Sequence, residues 1–183
     1  MNLEGLDISI LGPACVAGLL VLLTHVPLGQ QVLSRGIIFI DLAIAQVAAL
    51  GVILAQYFGV DEQGYGVEIA AAIAALAGAG LLTVTDKLWP QYQEPLIGTM
   101  FVLAATGSLL LLANNPHGGE HLKDLLVGQI LWVSLHQLIP VALLSAAILA
   151  VLWFRRDTLS GLWFYGLFAM AIVVFANYGL LNP

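Results

Sequence analysis

The chain has 183 residues, of which 61% are hydrophobic and only 9% are charged, and its formal net charge at pH 7 is −6. Soluble globular domains usually carry about 25% charged residues, so this composition excludes an ordinary soluble domain and indicates a protein of the lipid bilayer. The single cysteine, Cys15, excludes an intramolecular disulfide. The sequence also lacks a Gly-x-x-x-x-Gly-Lys-Ser/Thr phosphate-binding loop, so ATP is not expected to bind this chain in that way.

Six segments are long and apolar enough to be predicted as membrane spans, because a spanning helix needs about 20 mostly apolar residues. They are approximately residues 6–26, 36–58, 66–85, 95–113, 137–154 and 159–181. The first of them is expected to be a retained helix, since the residues before it include Glu4 and Asp7 but no basic stretch typical of a secretory signal. Residues 1–183 are therefore predicted to form one all-α transmembrane domain, a polytopic helix bundle.

The first two predicted helices carry polar residues that need an explanation, since ionisable groups within spans are costly and mark pathways or packed polar contacts. His25, beside Pro27 at the predicted inner end of helix one, is interpreted as an interfacial residue. Asp41 lies near the start of helix two, and Gln46 follows about 7 Å along the axis and about 140° around it. Two interpretations of Asp41 stay open: it lines a translocation pathway, or it lies at headgroup level beside Arg35.

Helix three contains a row of small residues. Ala70, Ala74 and Gly78 are spaced four apart, so they share one helix face. Small side chains allow a neighbouring helix to approach closely, so this face is predicted to pack inside the bundle.

The longest predicted connection joins helices four and five, and its second part, residues 122–137, is half apolar but too interrupted to cross the membrane. A short re-entrant or interfacial segment is predicted there. Its first part reads NPHGGEH and brings His117, Glu120 and His121 within five residues. Two imidazoles and a carboxylate suit Zn²⁺ or Mn²⁺ and are poor ligands for Ca²⁺.

Two other interpretations of this cluster stay open. Glu120 and His121 would also suit the first turn of a helix that binds no metal, because a carboxylate interacts favourably with the positive N-terminal end of a helix. The spacing further matches the H-x-x-E-H signature of inverted zinc peptidases. The helix which that site requires is disfavoured by the turn-forming residues Asn114, Asn115, Pro116, Gly118 and Gly119. Peptidase activity is therefore not expected.

The cations predict the orientation, because Lys and Arg in short loops stay preferentially in the cytoplasm. Arg35, Lys87, Arg155 and Arg156 follow helices one, three and five, whereas Lys123 alone falls on the other side. Both termini are therefore expected outside the cytoplasm. The same face would carry these acidic residues: Glu4, Asp7, Asp61, Glu62, Glu68, Glu120 and Asp124.

Two long blocks of this sequence, residues 12–55 and 94–134, closely resemble the zinc/manganese/iron permease family of bacterial ABC importers. The resemblance implies a membrane-spanning subunit of an ATP-driven importer for zinc or manganese in the bacterial inner membrane. It implies a cytoplasmic ATPase that binds the ATP, an extracytoplasmic metal-binding protein, and a second permease copy or complementary permease chain. The chain itself is expected to hold no cofactor, with Zn or Mn bound only transiently as substrate.

The chain departs from the family pattern at two places. Relatives carry an Asp and a His along helix two that line the path, which implies this role for Asp41, but Gln46 aligns where that histidine would be. Glutamine is a poor ligand for transition metals, so Gln46 is expected to line the path rather than to bind the ion. Family members also usually continue past Tyr178 with further spans. An alternative function is therefore a non-transporting accessory or regulatory subunit of a partner permease.

Overall fold

A computed structural model describes residues 8–60, 65–113, 134–154 and 161–177. This part of the chain contains six α-helices, which confirms the predicted all-α bundle. They are α1 (Ile8–Arg35), α2 (Ile40–Tyr57), α3 (Gly66–Leu88), α4 (Gln93–Leu112), α5 (Leu135–Phe154) and α6 (Leu162–Asn177), with a single 3₁₀ turn at Pro90–Tyr92 before α4. The re-entrant segment predicted between helices four and five lies largely outside the described residues.

Helix α2 occupies the middle of the bundle. It packs most extensively against α3 and α4 and also touches α6, while α3 packs along α6. Helix α1 packs mainly against α5, and α6 contacts both of them. Helix α6 therefore joins the α1/α5 pair to the α2, α3 and α4 group, and its Phe164 and Tyr165 are fully buried.

The predicted small face of α3 is confirmed as a close contact with α2. A Cβ atom placed on Gly51 of α2 would lie 2.5 Å from the Cβ of Ala74 and 2.9 Å from the carbonyl oxygen of Ala70. A Cβ on Gly78 would lie 3.2 Å from Cγ1 of Val47. The two backbones approach closely because Gly51 of α2 meets the small residues Ala70 and Ala74 of α3.

The junction between α1 and α2 differs from the prediction. Helix α1 does not end near residue 26 but continues through Pro27 to Arg35, and α2 begins at Ile40 rather than at residue 36. A proline removes one helical hydrogen bond, and burial of Leu28 and Val32 after it stabilises the continued helix. His25 is therefore an interior residue of α1, not an end residue.

The end of α1 is fixed by Gly36, which adopts a φ of 70°. Its N–H donates to the carbonyl of Leu33 at 3.1 Å, and the N–H of Ile37 donates to the carbonyl of Val32 at 3.3 Å. These two bonds, with Ile37 buried against the helix end, form a Schellman C-cap. The apolar run after Gly36 therefore belongs to a turn, although its hydropathy resembles the start of a span.

The surface of the bundle is suited to lipid. Four helices in the described part are long and apolar enough to cross a membrane, and two shorter apolar helices lie at Leu138–Phe154 and Trp163–Val173. Exposed aromatic side chains occur near both ends of the helices, as expected where rings lie at the membrane–water interfaces. They are Tyr57, Phe58 and Tyr65 at one end, and Phe39, Trp89, Tyr92, Trp153, Phe154 and Trp163 at the other.

The second of these ends also collects basic residues. The guanidinium of Arg35 lies 4.3 Å from the ring centroid of Phe164, at the start of α6. A Cβ on Gly161 would lie 3.9 Å from Cε of Lys87, at the end of α3. Arg35 and Lys87 therefore share one end of the bundle, as the order of the helices predicts, while Glu68 lies in the first turn of α3 at the opposite end.

Candidate translocation site

Asp41 is the second residue of α2 and lies in its first turn. Its side chain is exposed on the surface of the isolated chain, although the helix is one of the candidate spans. The N-terminus of α2 receives a second carboxylate, because the N–H of Phe39 donates to Oε1 of Glu94 at 3.2 Å. Acidic groups here interact favourably with the positive end of the helix.

Gln46 lies on a different face of the same continuous helix. It is half-buried, and an α-helix places residues five apart about 140° from each other. Its side chain and that of Asp41 therefore point in different directions from the α2 axis. A narrow channel beside α2 would face one of them squarely, not both.

His25 of α1 and Asp41 of α2 lie within range of an electrostatic interaction. The ring is also anchored within its own helix, since Nδ1 lies 3.1 Å from the carbonyl oxygen of Val21 and 3.1 Å from Oγ1 of Thr24. Thr24 is fully buried, so its hydroxyl provides a fixed support.

Helix α1 is longer than the membrane core. At about 1.5 Å per residue it is about 42 Å long, which exceeds the hydrocarbon core of about 30 Å. The part of α1 after Pro27 can therefore extend beyond the core. The interpretation of His25 as an interfacial residue stays a prediction.

A second polar contact joins the helices at the end that holds Arg35. Gln93 is only 4% exposed, and its Nε2 donates to the carbonyl oxygen of Leu82 and to the hydroxyl of Tyr165, both at 3.0 Å. This contact connects α4, α3 and α6. No local pattern indicates this contact, because Gln93 precedes residue 95, where the fourth helix is predicted to begin, and so resembles a loop residue.

The predicted metal cluster of His117, Glu120 and His121 lies outside the described residues, as do Arg155 and Arg156. Among the residues that are described, no group of three or more His, Cys, Asp or Glu is placed to hold a metal ion. An apolar groove of about 400 Å³ lies over α2 between α3 and α4. Its aliphatic lining, with Thr85 and Thr99 as the polar members, offers no carboxylate or imidazole to a cation.

Comparison with known proteins decides the class. The sequence profile of the ABC 3 transport family matches residues 7–178, which is nearly the whole chain. The chain belongs to this family. No curated protein and no solved structure gave a significant match.

Membership in the ABC 3 transport family makes the chain a membrane permease subunit of an ABC transporter. The family implies that the subunit lies in the lipid bilayer of the inner membrane and works with an ATPase. The apolar outer surface and the six helices fit that role.

Proposed function

We propose that this ABC 3 permease is the membrane-spanning subunit of an ATP-driven importer for a divalent transition metal, zinc or manganese. The observation that carries the proposal is Asp41, a carboxylate exposed on a spanning helix of a permease and within electrostatic range of the His25 imidazole of α1. A charge against hydrocarbon is costly. Of the two interpretations of Asp41, a position on the translocation path and a position at headgroup level beside Arg35, the proposal takes the first.

The chemistry of the donors supports transition metals as cargo. Imidazole nitrogen with carboxylate oxygen suits Zn²⁺ and Mn²⁺, whereas Ca²⁺ requires six to eight oxygen ligands. The predicted loop residues His117, Glu120 and His121 repeat this donor set on the predicted extracytoplasmic side. The cluster would receive the ion there.

The proposed route follows from these positions. The ion is delivered by an extracytoplasmic metal-binding protein, enters beside the His117–His121 cluster, passes along α2 and leaves near Arg35. Gln46 lines the route without binding the metal firmly, because a neutral amide oxygen is a weaker ligand for Zn²⁺ than an imidazole nitrogen or a carboxylate. A cytoplasmic ATPase drives the cycle, and a second permease copy or a complementary permease chain encloses the other half of the path.

The proposal is tested by deleting the gene and measuring cell-associated zinc and manganese during growth with a chelator. We expect the deletion strain to contain less of one metal, and plasmid-borne expression of the chain to restore it. Calcium and magnesium contents serve as internal controls and should not change. Equal zinc and manganese contents in both strains, in a background without a second importer for these metals, would contradict the proposal.

A further inference from the structure

We propose that α1 and α5 swing as one body, the α1/α5 pair, against a rigid four-helix group formed by α2, α3, α4 and α6. The pivot of the swing is at the end of the bundle that holds Arg35. The movement would serve the transporter whichever ion it carries, so it goes beyond the proposed function.

The four-helix group is held together by close and specific contacts. Gly51 of α2 meets Ala74 of α3 where the two helices cross. The N–H of Phe39, directly before α2, donates to Oε1 of Glu94 in α4 at 3.2 Å, and the amide of Gln93 joins α4 to both α3 and α6. Contacts of this kind fit only one relative position of the helices, so the group is expected to move as a unit.

The α1/α5 pair is peripheral. Each of its helices packs more extensively against the other than against α6, and within the described residues neither packs extensively against α2, α3 or α4. Much of the pair's surface faces outward, since Leu19 of α1 is 59% exposed and Leu143 of α5 is 70% exposed. The buried residues of α5 recur every three or four positions and form one stripe: Leu138, Val141, Ser145, Ile148 and Leu152. Attachment through one neighbouring helix permits hinge motion of the pair as a body.

Two of the three chain connections between the pair and the group pass through a glycine with positive φ. Gly36 ends α1 with a φ of 70°, and Gly161 stands directly before α6 with a φ of 54°; the third connection, from α4 to α5, lies largely outside the described residues. Residues at the ends of elements commonly absorb the dihedral changes of a hinge, and glycine has the widest range of dihedral angles.

Both glycines lie beside a contact that joins the pair to the group. Arg35, the residue before Gly36, holds its guanidinium 4.3 Å from the ring centroid of Phe164, three residues after Gly161. An arginine over an aromatic face is attracted electrostatically to the ring, and Phe164 is fully buried. This cation–π contact therefore keeps the two bodies together at the hinge end and marks the pivot.

A pivot at this end makes the opposite end of α1 travel furthest. Cys15 lies about 20 residues before Arg35, or about 30 Å along the helix, so a swing of about 10° moves it about 5 Å. Residues next to Arg35 stay almost in place. The far end of the pair would thus approach or leave the four-helix group while the hinge end remains packed, as in the rocking of one bundle against another.

The experiment uses the full chain assembled with its ATPase in lipid nanodiscs and measures distances between two nitroxide spin labels by double electron–electron resonance. One label is on native Cys15, which is exposed, and the other is on Tyr65→Cys, directly before α3, or on Leu110→Cys of α4. We expect a non-hydrolysable ATP analogue with Mg²⁺ to shift at least one of these mean distances by about 5 Å. Cys15 paired with Ile139→Cys of α5 should keep its distance, because both labels move together.

Two further pairs in a Cys15→Ser background are the matched controls. Tyr65→Cys with Leu110→Cys lies within the four-helix group, and Ser34→Cys with Gln91→Cys lies near the pivot; all four positions are exposed, and both distances should be the same with and without the nucleotide. Unchanged distances from Cys15 to both group positions, in complexes that hydrolyse ATP, would overturn the inference. A comparable shift within the group, at the pivot or between α1 and α5 would overturn it too. Failure to carry zinc or manganese would contradict the proposed function and leave these distances unaffected.

Discussion

Gln93 illustrates how single polar residues stabilise an apolar bundle. Its amide nitrogen donates to a backbone carbonyl of α3 and to the Tyr165 hydroxyl of α6 from a site that water hardly reaches. Loss of one partner from a buried hydrogen bond costs about 1–3 kcal/mol, because the remaining polar group is left unsatisfied. This one side chain therefore fixes the relative positions of three helices.

We accordingly predict that Gln93→Leu lowers the thermal midpoint of the purified protein in detergent, with a loss of about 1–3 kcal/mol in stability. Leucine has a similar size to glutamine, so the loss of stability comes more from the lost hydrogen bonds than from a new cavity. Gln91→Leu, two residues earlier in the exposed 3₁₀ turn, is the control and should leave the midpoint unchanged. Equal midpoints for Gln93→Leu and the wild type would contradict this account of the contact.

Asp41 could be singled out from the sequence as a candidate site residue, but the burial of Gln93 could not be predicted. A carboxylate in an apolar run is conspicuous because its burial is costly whatever surrounds it, and its role on the path stays a prediction. Gln93 is buried where it contacts Leu82 of α3 and Tyr165 of α6. That burial depends on tertiary packing, which no local pattern contains.

Among the elements, the crossing of α2 and α3 depends most strongly on small residues. We predict that Gly51→Ala destabilises the protein by about 1–3 kcal/mol, the usual cost of overpacking. The added methyl group would approach the backbone oxygen of Ala70 to 2.9 Å, and a backbone atom cannot turn aside as a side chain does. The thermal midpoint in detergent measures the change.

Gly80→Ala is the matched control on α3, because a Cβ there would meet nothing within 4 Å. It should leave the midpoint unchanged or raise it slightly, since alanine favours a helix over glycine by about 1 kcal/mol. If Gly51→Ala were as stable as Gly80→Ala, the close contact between α2 and α3 would be contradicted.

The C-caps of α1 and α2 give a further prediction. Gly36 has a φ of 70° and Gly59 a φ of 80°, a conformation that costs other residues about 1–2 kcal/mol. Gly36→Ala should therefore lower the thermal midpoint, whereas Gly29→Ala, inside α1 with open space around it, should not. A stable Gly36→Ala variant would mean that α1 does not end in this cap.

Within the described residues, the six helices follow the order that hydropathy predicts, because a helix that crosses or lines the membrane core needs a long apolar run. Their ends were harder to predict. Pro27 was interpreted as a stop although packing of Leu28 and Val32 compensates for its lost hydrogen bond. The run from Ile37 to Ile40 was interpreted as the start of a span although the Schellman cap makes its first part a turn.

At the scale of the whole molecule, the helix order places Arg35 and Lys87 at one end, and the positive-inside rule predicts that this end is cytoplasmic. In a Cys15→Ser background, we expect Tyr65→Cys to react with a membrane-impermeant maleimide in intact spheroplasts. Gln91→Cys should react only after the membrane is permeabilised. Both positions are exposed on the chain, so the reverse pattern would show that the orientation is inverted.

The central claim is that this ABC 3 permease moves a transition metal at the expense of ATP. The most direct measurement is uptake of radioactive zinc and manganese by proteoliposomes that contain the chain with its ATPase and its metal-binding protein. The account predicts uptake of one of these metals that requires ATP inside the vesicles and is absent for calcium. Uptake of neither metal by an assembly that hydrolyses ATP, or metal entry that is equal with and without ATP, would contradict it.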